Sequence, residues 1–117
     1  MPALTDPNLA LNYGWSPGES GWGNEMDSNL KRLGAVVGLS VLDRDLATPP
    51  DTPTNGDRYL IPSDGIGAWS NRAGQLAVRI ADVWEYHAPS IGWLCYIEDE
   101  AVLSVYQSSG WSAGIAL

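Results

Sequence analysis

The sequence predicts a mainly β fold with one N-terminal helix, and three features of its 117 residues support this fold class. Apolar residues recur at helical spacing once, between residues 22 and 37. From Arg58 onward they alternate with a period of two, and glycine-rich turns separate the alternating segments. We therefore expect an extended N-terminal arm, a short helix, a proline-rich strap and a small antiparallel, barrel-like β module.

The change in periodicity also divides the chain into two predicted regions. Residues 1–38 would form an extended arm and a helix that anchor or oligomerise the protein. Residues 39–117 would form a tryptophan-rich antiparallel β domain that includes the strap, residues 40–62. A chain of this length can form one compact domain with an appendage.

The predicted helix, about residues 22–37, carries an apolar stripe. Met26, Leu30, Leu33 and Val37 follow one another at i, i+4, i+7 and i+11, so they share one helix face. This stripe has two interpretations. The helix lies on the sheet of its own chain, or the stripe packs against copies of itself as a short seam. Because a seam of about two heptads is too short to hold an oligomer alone, the second interpretation needs further contacts.

Two tryptophans bracket the turn-rich segment GWSPGESGWG that precedes the helix. Trp15 and Trp22 stand at its two ends, among glycines, serines and a proline that favour turns. An indole in such a segment needs a surface to lie on, either in its own domain or in a partner. We expect both tryptophans to join the apolar stripe in an oligomer or anchor interface.

The strap connects the helix to the first predicted strand. Pro49, Pro50 and Pro53 exclude a helix or a central strand from this segment. The letters TNGD at residues 54–57 then predict a turn into the strand RYLI. We predict that the strap is an ordered part of the fold and not a flexible linker.

The β module is predicted to be a meander of short strands. QLAVRI and VWEYHA would pair through a tight turn at Ala81–Asp82, and GWLCYI and AVLSVYQ would pair across the acidic turn EDE. His87 falls on the strand face opposite Trp84 and Tyr86, so we expect it to be exposed. Cys95 lies in the apolar run WLCYI, and we expect it to be buried.

Three tryptophans in the β module each follow a glycine-containing turn. Trp69, Trp93 and Trp111 end the segments DGIGAW, PSIGW and QSSGW. The first interpretation is that the indoles fill the interior of the sheet. The alternative is that exposed indoles contact a glycan or another protein, since the chain has six tryptophans, five tyrosines and no phenylalanine.

Composition argues against several classes of function. A net charge of −8 leaves no basic patch for nucleic acid. No apolar run has the length of a membrane span, and the N-terminus lacks the basic start and apolar core of a secretory signal. One cysteine and one histidine give no metal-ligand or nucleophile–base spacing. We therefore expect no enzyme activity, no metal, no cofactor and no membrane insertion.

Several segments resemble a known family in order and spacing. LSVLDRDLATPPDTPTNGDRYLIP, GAWSNRAGQLAVRIADVWEYHAPSIGW and YIEDEAVLSVYQSSGW resemble a domain-of-unknown-function family of phages, prophages and gene transfer agents. The resemblance covers roughly residues 39–112. The N-terminal LNYGWSPGESGWGNEMDSNLKRLGAVV is similar to the opening of phage tail-fibre proteins.

This resemblance implies a non-enzymatic virion protein of a tail fibre or head spike, assembled in the host cytoplasm. It implies a homotrimer that binds other virion proteins of the tail or head, and it brings no catalytic residues. Some members are linked with host-surface polysaccharide, so a carbohydrate-binding module is the alternative function. The family often has VYDGSGW where this chain has VYQSSGW. Because the chain stops at Leu117, an adaptor or a short spike is favoured over a long fibre.

Overall fold

The computed structural model describes residues 4–117, and the chain divides into two compact units, Met1–Val37 and Gly38–Leu117. The division lies one residue from the predicted boundary. Residues 4–117 are mainly β with a single α-helix, which confirms the predicted fold class. Their strands, two to six residues long, form several separate sheets, and no closed barrel is seen in this part of the chain.

The first unit contains a small hairpin and the helix. β1 (Leu4–Thr5) pairs with β2 (Asn12–Tyr13) in antiparallel register, and α1 spans Trp22–Val36. The helix ends where Val37 becomes extended and Gly38 takes a positive φ of 61°. The helix was therefore predicted to within one residue. Part of the segment predicted to be an extended arm forms the β1–β2 hairpin.

Asn29 joins the helix to the hairpin inside the first unit. Its Oδ1 accepts a hydrogen bond from the backbone N–H of Asn12 at 2.7 Å, and its Nδ2 donates to the carbonyl of Asn12 at 2.8 Å. The side chain thus pairs with β2 as a neighbouring strand would. Asn29 is buried, and these two bonds satisfy both ends of its carboxamide.

The second unit contains a three-stranded and a five-stranded sheet. The strands are β3 (Ser40–Val41), β4 (Arg58–Leu60), β5 (Leu76–Ile80), β6 (Val83–His87), β7 (Leu94–Ile97), β8 (Val102–Gln107), β9 (Gly110–Trp111) and β10 (Ile115–Ala116). The smaller sheet has the order β4-β5-β6, and the larger has the order β10-β8-β7-β3 with β9 paired to β8. The predicted β5–β6 and β7–β8 hairpins are confirmed. The β3–β7 pair is parallel, which departs from the expected meander.

The β5–β6 turn is tight, as predicted, and both of its central residues are left-handed. Ala81 has a φ of 51° and Asp82 a φ of 64°. Two consecutive positive φ values are the geometry that matches the twist of a two-residue hairpin. Asn55 supports the turn from the strap, because its Oδ1 accepts the backbone N–H of Asp82 at 3.0 Å.

The strap is held by backbone hydrogen bonds along its length, which confirms that it is ordered. The N–H of Leu42 donates to the carbonyl of Arg58, and the N–H of Leu60 donates to the carbonyl of Asp43. These bonds place the start of the strap beside β4. Further along, the carbonyl of Ala47 accepts the N–H of Ile66.

Arg44 fastens the strap to two distant segments of the second unit. Its Nε and one terminal nitrogen each donate to a carboxylate oxygen of Glu100 at 2.8 Å. The terminal nitrogens also donate to the carbonyls of Ser112 and Ala113 at 2.8 and 3.0 Å. The hydrogen bond from Arg44 lowers the pKa of Glu100 and raises the pKa of Arg44 itself. We call these four bonds the Arg44 latch.

Aromatic rings form one core cluster of the second unit. Tyr59, Trp69 and Trp84 lie with ring centroids 5.5 to 6.0 Å apart, and two of the three contacts are edge-to-face. Such contacts stabilise beyond simple burial by about 0.5–1.5 kcal/mol each. Cys95 is fully buried elsewhere in the unit, as predicted, and burial raises the pKa of its thiol to about 12.

The prediction that His87 is exposed is wrong. His87 is only 8% exposed, and its strand partner Leu76 is fully buried on the same sheet face. Leu76, Ala77 and Val78 are buried consecutively, so both faces of the sheet are covered at this end. Alternation along β6 correctly separated His87 from Trp84, but it did not reveal that the second face is also buried.

Candidate functional site

The apolar stripe of α1 lies on an exposed helix face. At about 100° per residue, Trp22 joins the four predicted stripe residues within an arc of roughly 80°. Trp22, Leu30 and Val37 are 54%, 59% and 67% exposed, and the other two members are half-buried. We define the helix stripe by five residues: Trp22, Met26, Leu30, Leu33 and Val37.

The helix stripe borders the face that α1 presents to its own hairpin, because Asn29 lies only about 20° from Trp22 around the helix axis. Asn29 makes the hydrogen bonds to β2, and the buried residues of the helix are Asn29 and Ala35. Trp15, predicted to join the same interface, precedes the helix and is half-buried. Trp22 and Leu30 on the helix, together with Val37 directly after it, expose large apolar side chains that are suited to burial against another protein surface.

A cleft of about 710 Å³ lies within the second unit. The strap, the loop between β4 and β5, the acidic β7–β8 turn and the β8–β9 hairpin all contribute to its wall. Its volume falls in the range of about 300–1,000 Å³ that is usual for small-ligand pockets. Its lining includes Arg44, Asp45, Gly74, Glu100, Tyr106 and Trp111.

An aromatic pair forms part of the cleft wall. Tyr106 and Trp111 are opposite each other in the β8–β9 ladder, and their rings meet edge-to-face with centroids 5.2 Å apart. The Nε1–H of Trp111 donates to the carbonyl of Gly74 at 2.9 Å, so the orientation of the indole is fixed. Both rings are half-buried. The arrangement offers a rigid apolar corner beside polar groups.

The charged groups around the cleft are mostly acidic. The Arg44 latch directs the donors of Arg44 to Glu100 and to two carbonyls. Glu100 pairs with Arg44, and the hydrogen bond between them lowers the pKa of this carboxyl group. Asp45, also in the cleft wall, is exposed and takes no part in the latch. One paired cation and two carboxylates therefore border the aromatic corner.

The three tryptophans of the β module have different positions. Trp69 is fully buried in the aromatic cluster, so it is a core residue and is not available as a surface contact. Trp93 is half-buried just before β7, and Trp111 belongs to the cleft. The structure does not bring the three indoles together into one surface.

Sequence reasoning missed Tyr106 and Arg44 as cleft residues. Tyr106 is recognisable only through its cross-strand pairing with Trp111, which depends on the β8–β9 turn. Arg44 and Glu100 are 56 residues apart, so no local spacing links them. The acidic turn EDE was predicted only as the connection between two strands, yet its last residue, Glu100, forms the latch.

Within residues 4–117, no group of three or more His, Cys, Asp or Glu side chains is placed to hold a metal ion. Across the same residues, the structure contains no helix with the length and apolar character needed to cross a membrane.

Comparison with known proteins identifies a family. The model of a family described as "Protein of unknown function (DUF2793)" matches residues 26–112, which is most of the chain. The match begins within α1 and ends just after β9, so it includes most of the helix stripe and the cleft. The chain therefore belongs to the DUF2793 family. No curated protein matches it.

Proposed function

We propose that this DUF2793 protein is a non-enzymatic structural component of a phage virion, in a tail fibre, head spike or adaptor, and that it assembles as a homotrimer. The observation that carries the self-association is the exposure of the helix stripe, above all of Trp22, Leu30 and Val37. The virion context rests on the resemblance of the N-terminal segment and of the β module to phage fibre and spike proteins.

The expected strength of this association follows from the buried area. Full burial of a large apolar side chain contributes about 1.5–3 kcal/mol, so side chains already half-buried contribute about 1–2 kcal/mol each. The three most exposed stripe residues then supply roughly 3–6 kcal/mol per chain. Loss of translational and rotational freedom costs about 4–15 kcal/mol. The helix stripe alone is therefore marginal, and contacts with other virion proteins or with the rest of the chain must supplement it.

Particle composition tests the virion assignment. Virions from a strain that encodes this chain are purified on a density gradient and probed with an antibody to the β module. We expect the chain to migrate with the major capsid or tail proteins, and to remain attached after a wash with high salt. A chain found only in the soluble lysate would contradict the proposal.

Oxidative cross-linking tests the helix stripe as the contact between copies. Leu30→Cys places a thiol in the centre of the stripe, and Ser28→Cys places one on the opposite, exposed helix face. We expect a disulfide-linked dimer band for Leu30→Cys and little for Ser28→Cys. Cys95 does not interfere because it is buried. Equal cross-linking of the two variants would refute the stripe as the interface.

A second candidate function is carbohydrate binding, and the Tyr106–Trp111 corner favours it. Aromatic rings fixed in orientation beside hydrogen-bonding groups are suited to stack on the apolar face of a sugar ring. The test is retention on immobilised polysaccharide. Trp111→Phe should weaken retention several-fold, whereas the control Trp22→Phe, in the first unit, should not. Equal retention of both variants would exclude the cleft as the site.

A further inference from the structure

The balance of charge around the cleft leads to an inference about the class of sugar. It rests on the carbohydrate-binding function proposed above as the second candidate. We propose that the cleft binds a neutral sugar unit through the Tyr106–Trp111 corner and rejects sugars that carry carboxylate, sulfate or phosphate groups.

The aromatic corner is organised before any ligand arrives. The indole of Trp111 is tied to Gly74, and the next residue, Ser112, is fixed on both sides. The Oγ of Ser104 donates to the carbonyl of Ser112 at 2.7 Å, and the Oγ of Ser112 accepts the N–H of Val105 at 3.0 Å. A surface that does not need to be ordered on binding loses less free energy when a ligand stacks on it.

The arginine in the cleft wall is already used within the fold. Among residues 4–117, Arg44 is the one Lys or Arg that lines the cleft, and its guanidinium donates to Glu100, Ser112 and Ala113. Recognition of an anionic sugar usually depends on an arginine fork or a lysine that is free to pair with it. Binding an anion here would require breaking the Arg44 latch.

Asp45 is the carboxylate at the cleft that opposes an anionic ligand directly, because it is exposed, whereas the charge of Glu100 is paired with Arg44. Like charges at a partly solvated surface repel by an amount that weakens binding about tenfold at short range, and the chain's net charge of −8 adds to this repulsion at low salt. The hydroxyls of Ser108 and Ser109, which also line the cleft, are suited to the hydroxyl groups of a neutral sugar.

Matched polysaccharides test this inference on the full chain. Binding is measured by biolayer interferometry to dextran and to dextran sulfate, and to methyl-esterified and de-esterified polygalacturonate, at low and at high salt. Mannan and galactan extend the neutral set. We expect saturable binding to at least one neutral polymer, with at least about tenfold weaker binding to anionic polymers at low salt. High salt should leave neutral binding unchanged.

Two charge variants separate the effect of the cleft from the effect of net charge. Asp45→Asn removes a carboxylate at the cleft, and the control Asp27→Asn removes an exposed one on α1. We expect Asp45→Asn to raise affinity for the anionic polymers several-fold, and Asp27→Asn to have little effect on it.

The outcomes distinguish this inference from the function on which it rests. Preferential binding to an anionic polymer, lost in Trp111→Phe, would overturn the inference and leave carbohydrate binding intact. Binding to none of the polymers would overturn both. An equal effect of the two aspartate variants would also overturn it, because the selectivity would then come from overall charge and not from the cleft.

Discussion

Replacing Arg44 by methionine is expected to destabilise the second unit by about 2–4 kcal/mol, because it removes the Arg44 latch and keeps most of the apolar stem. The bond to the carbonyl of Ser112 is the largest contribution, since a hydrogen bond that involves a charged group contributes about 1.5–3 kcal/mol. The ion pair with Glu100 adds no more than about 1 kcal/mol, because both side chains are partly exposed, at 17% and 30%. The exposed carbonyl of Ala113 can be solvated and adds little.

Urea unfolding measures this loss and separates its parts. Arg44→Met should lower the midpoint without changing the slope, which reports the surface exposed on unfolding. Glu100→Gln is the matched variant, because it removes the charge and leaves the bonds to the two carbonyls. It should cost only about 0.2–1 kcal/mol. A loss below about 0.5 kcal/mol for Arg44→Met, or equal losses for the two variants, would refute the latch as a fastening of the strap.

Three further predictions follow from single contacts. Arg44 lowers the pKa of Glu100 in the folded protein. The stabilisation of the fold by their pairing is therefore complete above the unfolded-state pKa of about 4.3, and it is lost as the pH falls through the lower folded-state pKa. The stability difference between wild type and Glu100→Gln should therefore be present at pH 7 and shrink as the pH falls below the unfolded pKa; a constant difference would contradict this. Ala81→Gly should raise the melting temperature, because glycine adopts the left-handed backbone conformation of residue 81 at a cost about 1 kcal/mol lower than alanine does. A lowered melting temperature would contradict this. Asn29→Leu should speed hydrogen exchange of the Asn12 amide, whose acceptor it removes; unchanged protection would mean that this bond does not hold the hairpin.

Local sequence patterns correctly predicted the helix and the hairpins, which are determined by interactions between nearby residues. The bounds of α1 follow from helical spacing that ends at a glycine, and the β5–β6 and β7–β8 hairpins follow from alternation around short turns. The prolines of the strap correctly excluded a helix there, although the bonds that order it come from the distant residues Arg58, Ile66 and Glu100. For the helix and the two hairpins, the interactions that select the structure lie within a few residues of one another.

Features that depend on distant partners were missed or predicted wrongly. The parallel pairing of β3 with β7 joins segments more than fifty residues apart, as does the Arg44 latch. In the sequence, Asn29 is indistinguishable from an exposed polar residue of a helix, and only the structure shows its bond to β2. His87 was placed on the correct strand face, but its burial depends on what covers that face. Composition showed that tryptophans were abundant. Only the structure shows that Trp69 is buried in the core and that Trp111 lines the cleft.

The exposed helix stripe is the basis of the proposed assembly, and the native mass of the full chain tests it most directly. Light scattering across a concentration series is predicted to give a mass that rises with concentration toward that of three 12.6 kDa chains. Leu30→Glu, in the stripe, should shift the protein to monomer, and Ser28→Glu, on the opposite face, should leave the trimer intact. A monomer at every concentration, or the same mass for both variants, would contradict self-association through the helix stripe.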